Sequence, residues 1–164
     1  MKELLQRLAA YNVWANQRLA EITLSLPEAT LTQQVIGSFP SVRSTILHIV
    51  DAESIWWQRI KLEEKIERPS QHFNGSTVNA LEMLADQNRS WKSWIERAGI
   101  TELTALFNYR TFSNEQFTQP VSDVLFHLFN HGTYHRGQWV NQLRECGVEK
   151  LPATDFIVFS RQPN

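Results

Sequence analysis

Three of the five histidines, His127, His131 and His135, fall in the run His127-Leu128-Phe129-Asn130-His131-Gly132-Thr133-Tyr134-His135-Arg136-Gly137-Gln138. Residues four apart on a helix are offset by about 40° in projection and about 6 Å along the axis, so His131 and His135 can point at one metal ion. Both continue the apolar stripe that Val124 and Leu128 begin, which turns their rings inward, where an unpartnered ring nitrogen is costly. An isolated H-x-x-x-H pair on an apolar face is more often hydrogen-bonded to core groups than metal-bound. A third histidine, His48, on a second apolar helical pattern shifts that balance, because three histidines with open coordination positions form a catalytic type of site. The expected ligands are therefore His48, His131 and His135, around one divalent ion. Three imidazoles accept zinc, nickel, copper or iron. Such an ion lowers the pKa of a water or thiol that reaches it and so supplies a nucleophile near neutral pH.

Other polar residues are candidates for supporting work. Glu53 interrupts the apolar pattern five residues after His48. Its carboxylate would hold a water, orient a ligand histidine or act as general base, and the structural alternative is a buried ion pair with Arg136. Asp51 has similar reach and reads as a solvated helix charge or a hydrogen-bond acceptor behind the ligands. His127, one turn before His131, lies at the edge of the stripe and is expected to support the ligands or to pack, hydrogen-bonded. His72 falls in a polar loop and is expected to be exposed. Cys146 is the single cysteine, which excludes an intrachain disulfide and is more often inert than nucleophilic. Two familiar metal sites are excluded. The zincin motif needs Glu directly after its first His, whereas Gly132 follows His131, and no paired Glu-x-x-His motifs are present for a di-iron bundle.

Four amphipathic helices position these residues. Leu4, Leu8, Tyr11, Ala15, Leu19, Ile22 and Leu26 mark the first, ending before Pro27. Ser41 reads as the N-cap of the second, which carries Val42, Ile46, Ile49, Trp56 and Ile60 and stops before Pro69. Val78, Leu81, Leu84, Trp91, Trp94 and Ile95 mark the third, ending near Gly99. The fourth begins around Pro120 and runs to Gly147. Leu106 to Phe117, with the turn-prone Ser113-Asn114, predicts a short hairpin between helices three and four. The expected fold is a single all-α four-helix-bundle domain over residues 1–164, with all six tryptophans on helices and serving mainly as packing.

Composition narrows the function. Sixteen basic against seventeen acidic residues give a net charge of -1, which leaves no positive field for a phosphate backbone, so nucleic acid is not an expected partner. No apolar stretch approaches the roughly 20 residues of a membrane span. The first residues, Met1-Lys2-Glu3-Leu4-Leu5, lack a secretory signal, and a cytoplasmic location is expected.

The segments Ile46-Leu47-His48-Ile49-Val50-Asp51-Ala52-Glu53 and Asn130-His131-Gly132-Thr133-Tyr134-His135-Arg136-Gly137-Gln138, together with Tyr11-Asn12-Val13-Trp14-Ala15-Asn16, resemble the DinB/YfiT-like superfamily in order and distance. The His-Arg-Gly-Gln ending is the most specific part, and the likeness spans nearly the whole chain. The resemblance implies an up-down-down-up bundle, a histidine triad at 48, 131 and 135, a divalent metal such as zinc or nickel, and homodimers. Some relatives of that kind are S-transferases that use a low-molecular-weight thiol, while most have no established activity. Two readings follow: a metal-dependent enzyme, thiol-transferring or hydrolytic, acting on a small-molecule substrate with Glu53 moving a proton or orienting a ligand, or a non-catalytic metal-binding stress-response protein with a closed site.

Overall fold

The computed structural model describes residues 1–162. Four long helices dominate: α1 (Lys2–Leu24), α3 (Val42–Ile60), α4 (Thr77–Arg97) and α6 (Val121–Glu145). Between and after them lie α2 (Glu28–Thr32), a 3-10 turn (Pro69–His72), α5 (Ile100–Thr104), strands β1 (Leu106–Arg110) and β2 (Gln116–Pro120), and α7 (Phe156–Phe159). The expected hairpin is present as an antiparallel pair with Leu106 opposite Pro120 and Arg110 opposite Gln116. The short helices α2, α5 and α7 lack the length for a periodic signal. No helix of the described residues is long and apolar enough to cross a membrane.

Helix starts follow capping chemistry. Ser41 accepts a hydrogen bond from the Ser44 amide at 3.1 Å, as its sequence position predicts. Ser76 and Asn79 close a reciprocal capping box on α4, and the Glu28 carboxylate accepts from the Thr77 amide and hydroxyl, placing an acid at the positive end of that helix. One boundary differs from expectation. The second long helix stops at Ile60, not before Pro69, because Leu62 takes a left-handed φ of 57° and the Gln58 side chain clasps both backbone groups of Glu67, folding the chain back.

The pairing of the helices fixes their directions. Leu5 and Ala9, early in α1, pack with Trp91, Trp94 and Ile95, late in α4, so these two run antiparallel. Ile46 and Ile49 pack with Ala80, Leu81 and Leu84, and farther along Trp57 meets Trp91, so α3 and α4 run parallel. Thr45 bonds Gln142 while Trp56 meets His127, which sets α6 antiparallel to α3. Leu5 with Leu125, and Thr23 with Trp139, set α6 parallel to α1. The bundle is up-down-down-up. Its apolar core divides into two clusters, one around Trp91 and Leu125 and one around Ile46 and Trp139. The inward register also departs locally from the sequence stripe: Leu4 is 44% exposed while Leu5 is fully buried, and Val78 is 46% exposed while Ala80 faces in.

Candidate metal centre

One turn of α3 and two turns of α6 face each other across the antiparallel seam. His48 Nε2 lies 3.2 Å from His131 Nε2 and 3.1 Å from His135 Nε2, and all three ligand atoms fall within 4.8 Å of one another. Nitrogens each about 2.0–2.1 Å from a tetrahedral zinc stand about 3.3 Å apart, so two edges of the triangle already have the dimensions of a coordination face. Gln138 Oε1 accepts from His135 Nδ1 at 2.8 Å, and Gln138 Nε2 in turn donates to Ser38. That bond puts the His135 proton on Nδ1 and leaves Nε2 as a bare lone pair.

The cluster is not self-satisfied. His48 has one Nε2, and one ring proton serves one of its two contacts. With His48 Nε2 bare instead, His131 can donate to it but the contact with His135 is lone pair to lone pair, so in either tautomer one contact stays unsatisfied. Protonation does not resolve it: burial first, then His135, His48 and His127, push His131 down to about 3. Burial and His135 lower His48, against the opposing pull of Asp51, and burial also lowers His135. Three converging, neutral imidazoles that can each turn an Nε2 lone pair to one point are the donor set a divalent cation fits. Phe39 walls one side, with its ring 4.4 Å from His48 and 5.6 Å from His135. The Phe39 carbonyl is held by Gln142, which Thr45 orients.

The remaining candidates separate. Glu53 is 2% exposed and does not join the histidines: its two carboxylate oxygens accept from Asn12 at 2.9 Å and Asn88 at 2.6 Å. The direct ion pair with Arg136 is absent among the described residues and is replaced by a bridge, since Arg136 Nη1 donates to Asn12 Oδ1 at 2.6 Å. Asp51 is buried rather than solvated, and it caps the 3-10 turn by accepting from the Ser70 amide and hydroxyl. His127 is exposed, its ring 5.7 Å from His131 and 5.8 Å from Trp56. His72 is exposed as expected. Burial pushes the Cys146 thiol up, away from the reactive thiolate.

The model of the DinB family matches residues 1–162. The chain belongs to the DinB family. Protein DinB of Bacillus subtilis (strain 168) is 29% identical over 180 aligned positions, covering 97% of this chain and 95% of that protein. A DinB-like protein from Bacillus cereus ATCC 10987, known from a crystal structure, shares the fold with a TM-score of 0.67 at 20% identity, over 88% of this chain and 91% of that one.

Asn88 had no role assigned from the sequence of this DinB family chain, and Asn12 and Asn16 stood only within the segment that carries the resemblance. Arg136 donates to Asn12 and Asn16, Asn16 Nδ2 donates to Asn88 Oδ1 at 2.8 Å, and Asn12 and Asn88 both donate to Glu53. Every bond runs from Arg136 toward Glu53. Arg136 is only 2% exposed and stacks on Tyr11, its Cζ 5.1 Å from the ring centroid. Gly132 makes room, since a Cβ there would meet Asn12 Oδ1 at 3.1 Å and Arg136 Nη1 at 3.2 Å. The available signal was spacing: Asn12 follows Leu8 by four, and Asn88 lies between Leu84 and Trp91 on the inward stripe.

Proposed function

We infer that this DinB family protein is a metal-dependent enzyme acting on an electrophilic small molecule, by transfer to a low-molecular-weight thiol or by hydrolysis, at one divalent ion held by His48, His131 and His135. The observation that carries this is the convergence of three Nε2 atoms from two antiparallel helices with no fourth His, Cys, Asp or Glu in the group among the described residues. Three protein ligands leave coordination positions open, as catalytic sites do, whereas the closed site of a non-catalytic metal protein takes four.

Zinc and nickel both suit three imidazoles, and the ion supplies Lewis acidity and a lowered pKa for a water or thiol. The chain contributes the rest. Gln138 fixes the His135 tautomer and ring plane, the Phe39 ring screens His48 and His135, and Trp56 with His127 border the other side. Glu53 acts through position: its network locks α6 against α1 beside the ligands and keeps the two histidines aimed at α3. Homodimers, implied by the family resemblance, belong to the same reading.

The test is turnover of thiol-transfer and ester substrates by metal-loaded native protein, metal-stripped protein and His131→Ala. Activity in the loaded native protein alone is expected. Equal turnover in all three would remove the metal from the reaction.

A further inference from the structure

Two guanidinium groups flank the seam without an acid to neutralise them. Arg59, near the end of α3, sits in a box of three rings, with its Cζ 4.8 Å from the Trp56 centroid, 5.3 Å from Tyr109 and 5.6 Å from Phe112. Arg68 stacks on the same Phe112 at 4.4 Å. Among the described residues neither arginine forms an ion pair, and Arg59 Nε is buried without a hydrogen-bond partner. Ring faces attract a cation but accept few of its five N–H donors. A partly desolvated guanidinium with unspent donors in a rigid fork is a receptor for a planar or tetrahedral oxyanion.

Its position gives that receptor a purpose. Trp56 forms one wall of the Arg59 box and also packs on His127, whose ring touches His131. The box therefore begins two rings from a histidine of the candidate metal centre. On the other flank, Ser70 is tied to Asp51, three residues after His48, which pins Arg68 alongside the same stretch of α3. A cleft of about 190 Å³ opens between Trp56, Tyr109 and His127, and neither arginine nor Phe112 lines it. Asp123 also lines it, but pairs with neither arginine among the described residues. The Tyr109 hydroxyl is already spent on Gln119 at 2.6 Å, so Tyr109 offers its ring and leaves anion binding to the guanidiniums.

We propose that Arg59 and Arg68, walled by Trp56, Tyr109 and Phe112, form a subsite that binds a carboxylate or phosphate group of the small molecule presented to the three histidines. For the role of its occupant the subsite rests on the metal-enzyme reading; for anion binding it does not. Holding a charged end of a molecule at a fixed distance from the reacting end is the positioning that turns encounter into reaction.

The experiment is an NMR titration of the full chain with succinate, with inorganic phosphate and with neutral succinamide, following the arginine Nε–H and tryptophan indole signals. It is run on native protein and on His135→Ala, so that direct capture of the anion by a metal is separated from capture by the arginines. Saturable shifts at Arg59 and Trp56 with at least one anion, in both proteins, are expected, and which anion binds more tightly names the group. Arg59→Gln and Arg68→Gln are each expected to weaken binding by about tenfold, the loss of a charge-assisted contact. Arg68 is exposed, so its variant carries the test even if Arg59→Gln misfolds. No saturable shift, equal binding of succinamide, or unchanged affinity in Arg68→Gln would overturn the subsite. Binding without any catalytic turnover would leave the subsite standing and count against the enzyme reading alone.

Discussion

Two polar clusters share the middle of α6, and neighbouring residues feed them: Arg136 turns toward α1, while His135 turns toward α3. In the first, a group that only donates and a group that only accepts stand at opposite ends, with three asparagine amides between them passing hydrogen bonds in one direction. The asparagine amides and the Glu53 carboxylate are all partnered inside the layer, and Arg136 Nε alone is left without a partner. In the second, His48 Nε2 faces the Nε2 atoms of His131 and His135 at 3.2 and 3.1 Å, and burial lowers the pKa of all three rings. The difference teaches how to tell a structural polar layer from a binding site. A layer is complementary within itself, whereas a site is complementary to something the chain does not contain.

That contrast can be broken most forcefully at Arg136. Replacing it with Met removes the cation that faces Glu53, whose buried carboxyl then keeps its proton to higher pH, and leaves the Asn12 and Asn16 oxygens without a donor, so a loss of about 3–5 kcal/mol in urea denaturation is expected. His131→Ala in metal-free protein removes a half-buried ring from a cluster whose contacts are not all satisfied, and stays within about 1 kcal/mol of native. Equal losses in the two variants would erase the distinction.

Glu53 gives the next effect, read through pH. Burial raises its carboxyl from 4.5 to about 7, against the Asn12 and Asn88 donors and Arg136, which hold it down. Between those values the folded protein keeps a proton that the unfolded chain has lost, so this group's contribution to stability falls as pH rises from about 4.5 to about 7. The total reaches about 3 kcal/mol at 1.36 kcal/mol per unit. Stability measured across that window should decline in native protein relative to Glu53→Gln, which has nothing to titrate there. Parallel pH profiles would show that Glu53 does not bind its proton in the folded state.

The smallest expected effect sharpens the histidine side. Gln138→Ala leaves all three ligands but frees the His135 tautomer and ring plane. Metal affinity by competition with a chelating dye should drop by about 10–100-fold, with the fold unchanged. No change would mean that Gln138 does not orient the ligand.

Much of the histidine side was legible in the sequence, because His131 and His135 fall four apart on an apolar stripe and His48 interrupts another, and spacing alone turns such rings inward. The four long helices and the hairpin were legible from periodicity and turn chemistry. The asparagine layer was not, because a lone Asn on a stripe reads as noise until the partners supplied by α1, α3, α4 and α6 are known, and those lie up to 124 residues apart. Glu53 was marked as a break in its pattern, yet its role depended on which helix lay opposite. The end of α3 at Ile60 was hidden for a related reason: no proline or glycine stops it there, and the stop comes from the left-handed Leu62 and the Gln58 clasp on Glu67.

Elemental analysis of protein purified without a metal-affinity tag, comparing native chain with His48→Ala and His135→Ala, tests the central claim most directly. About one equivalent of a divalent metal in the native protein, lost in both variants, is the predicted result. A native protein that takes up no metal even after reconstitution, or variants that keep full occupancy, would contradict it.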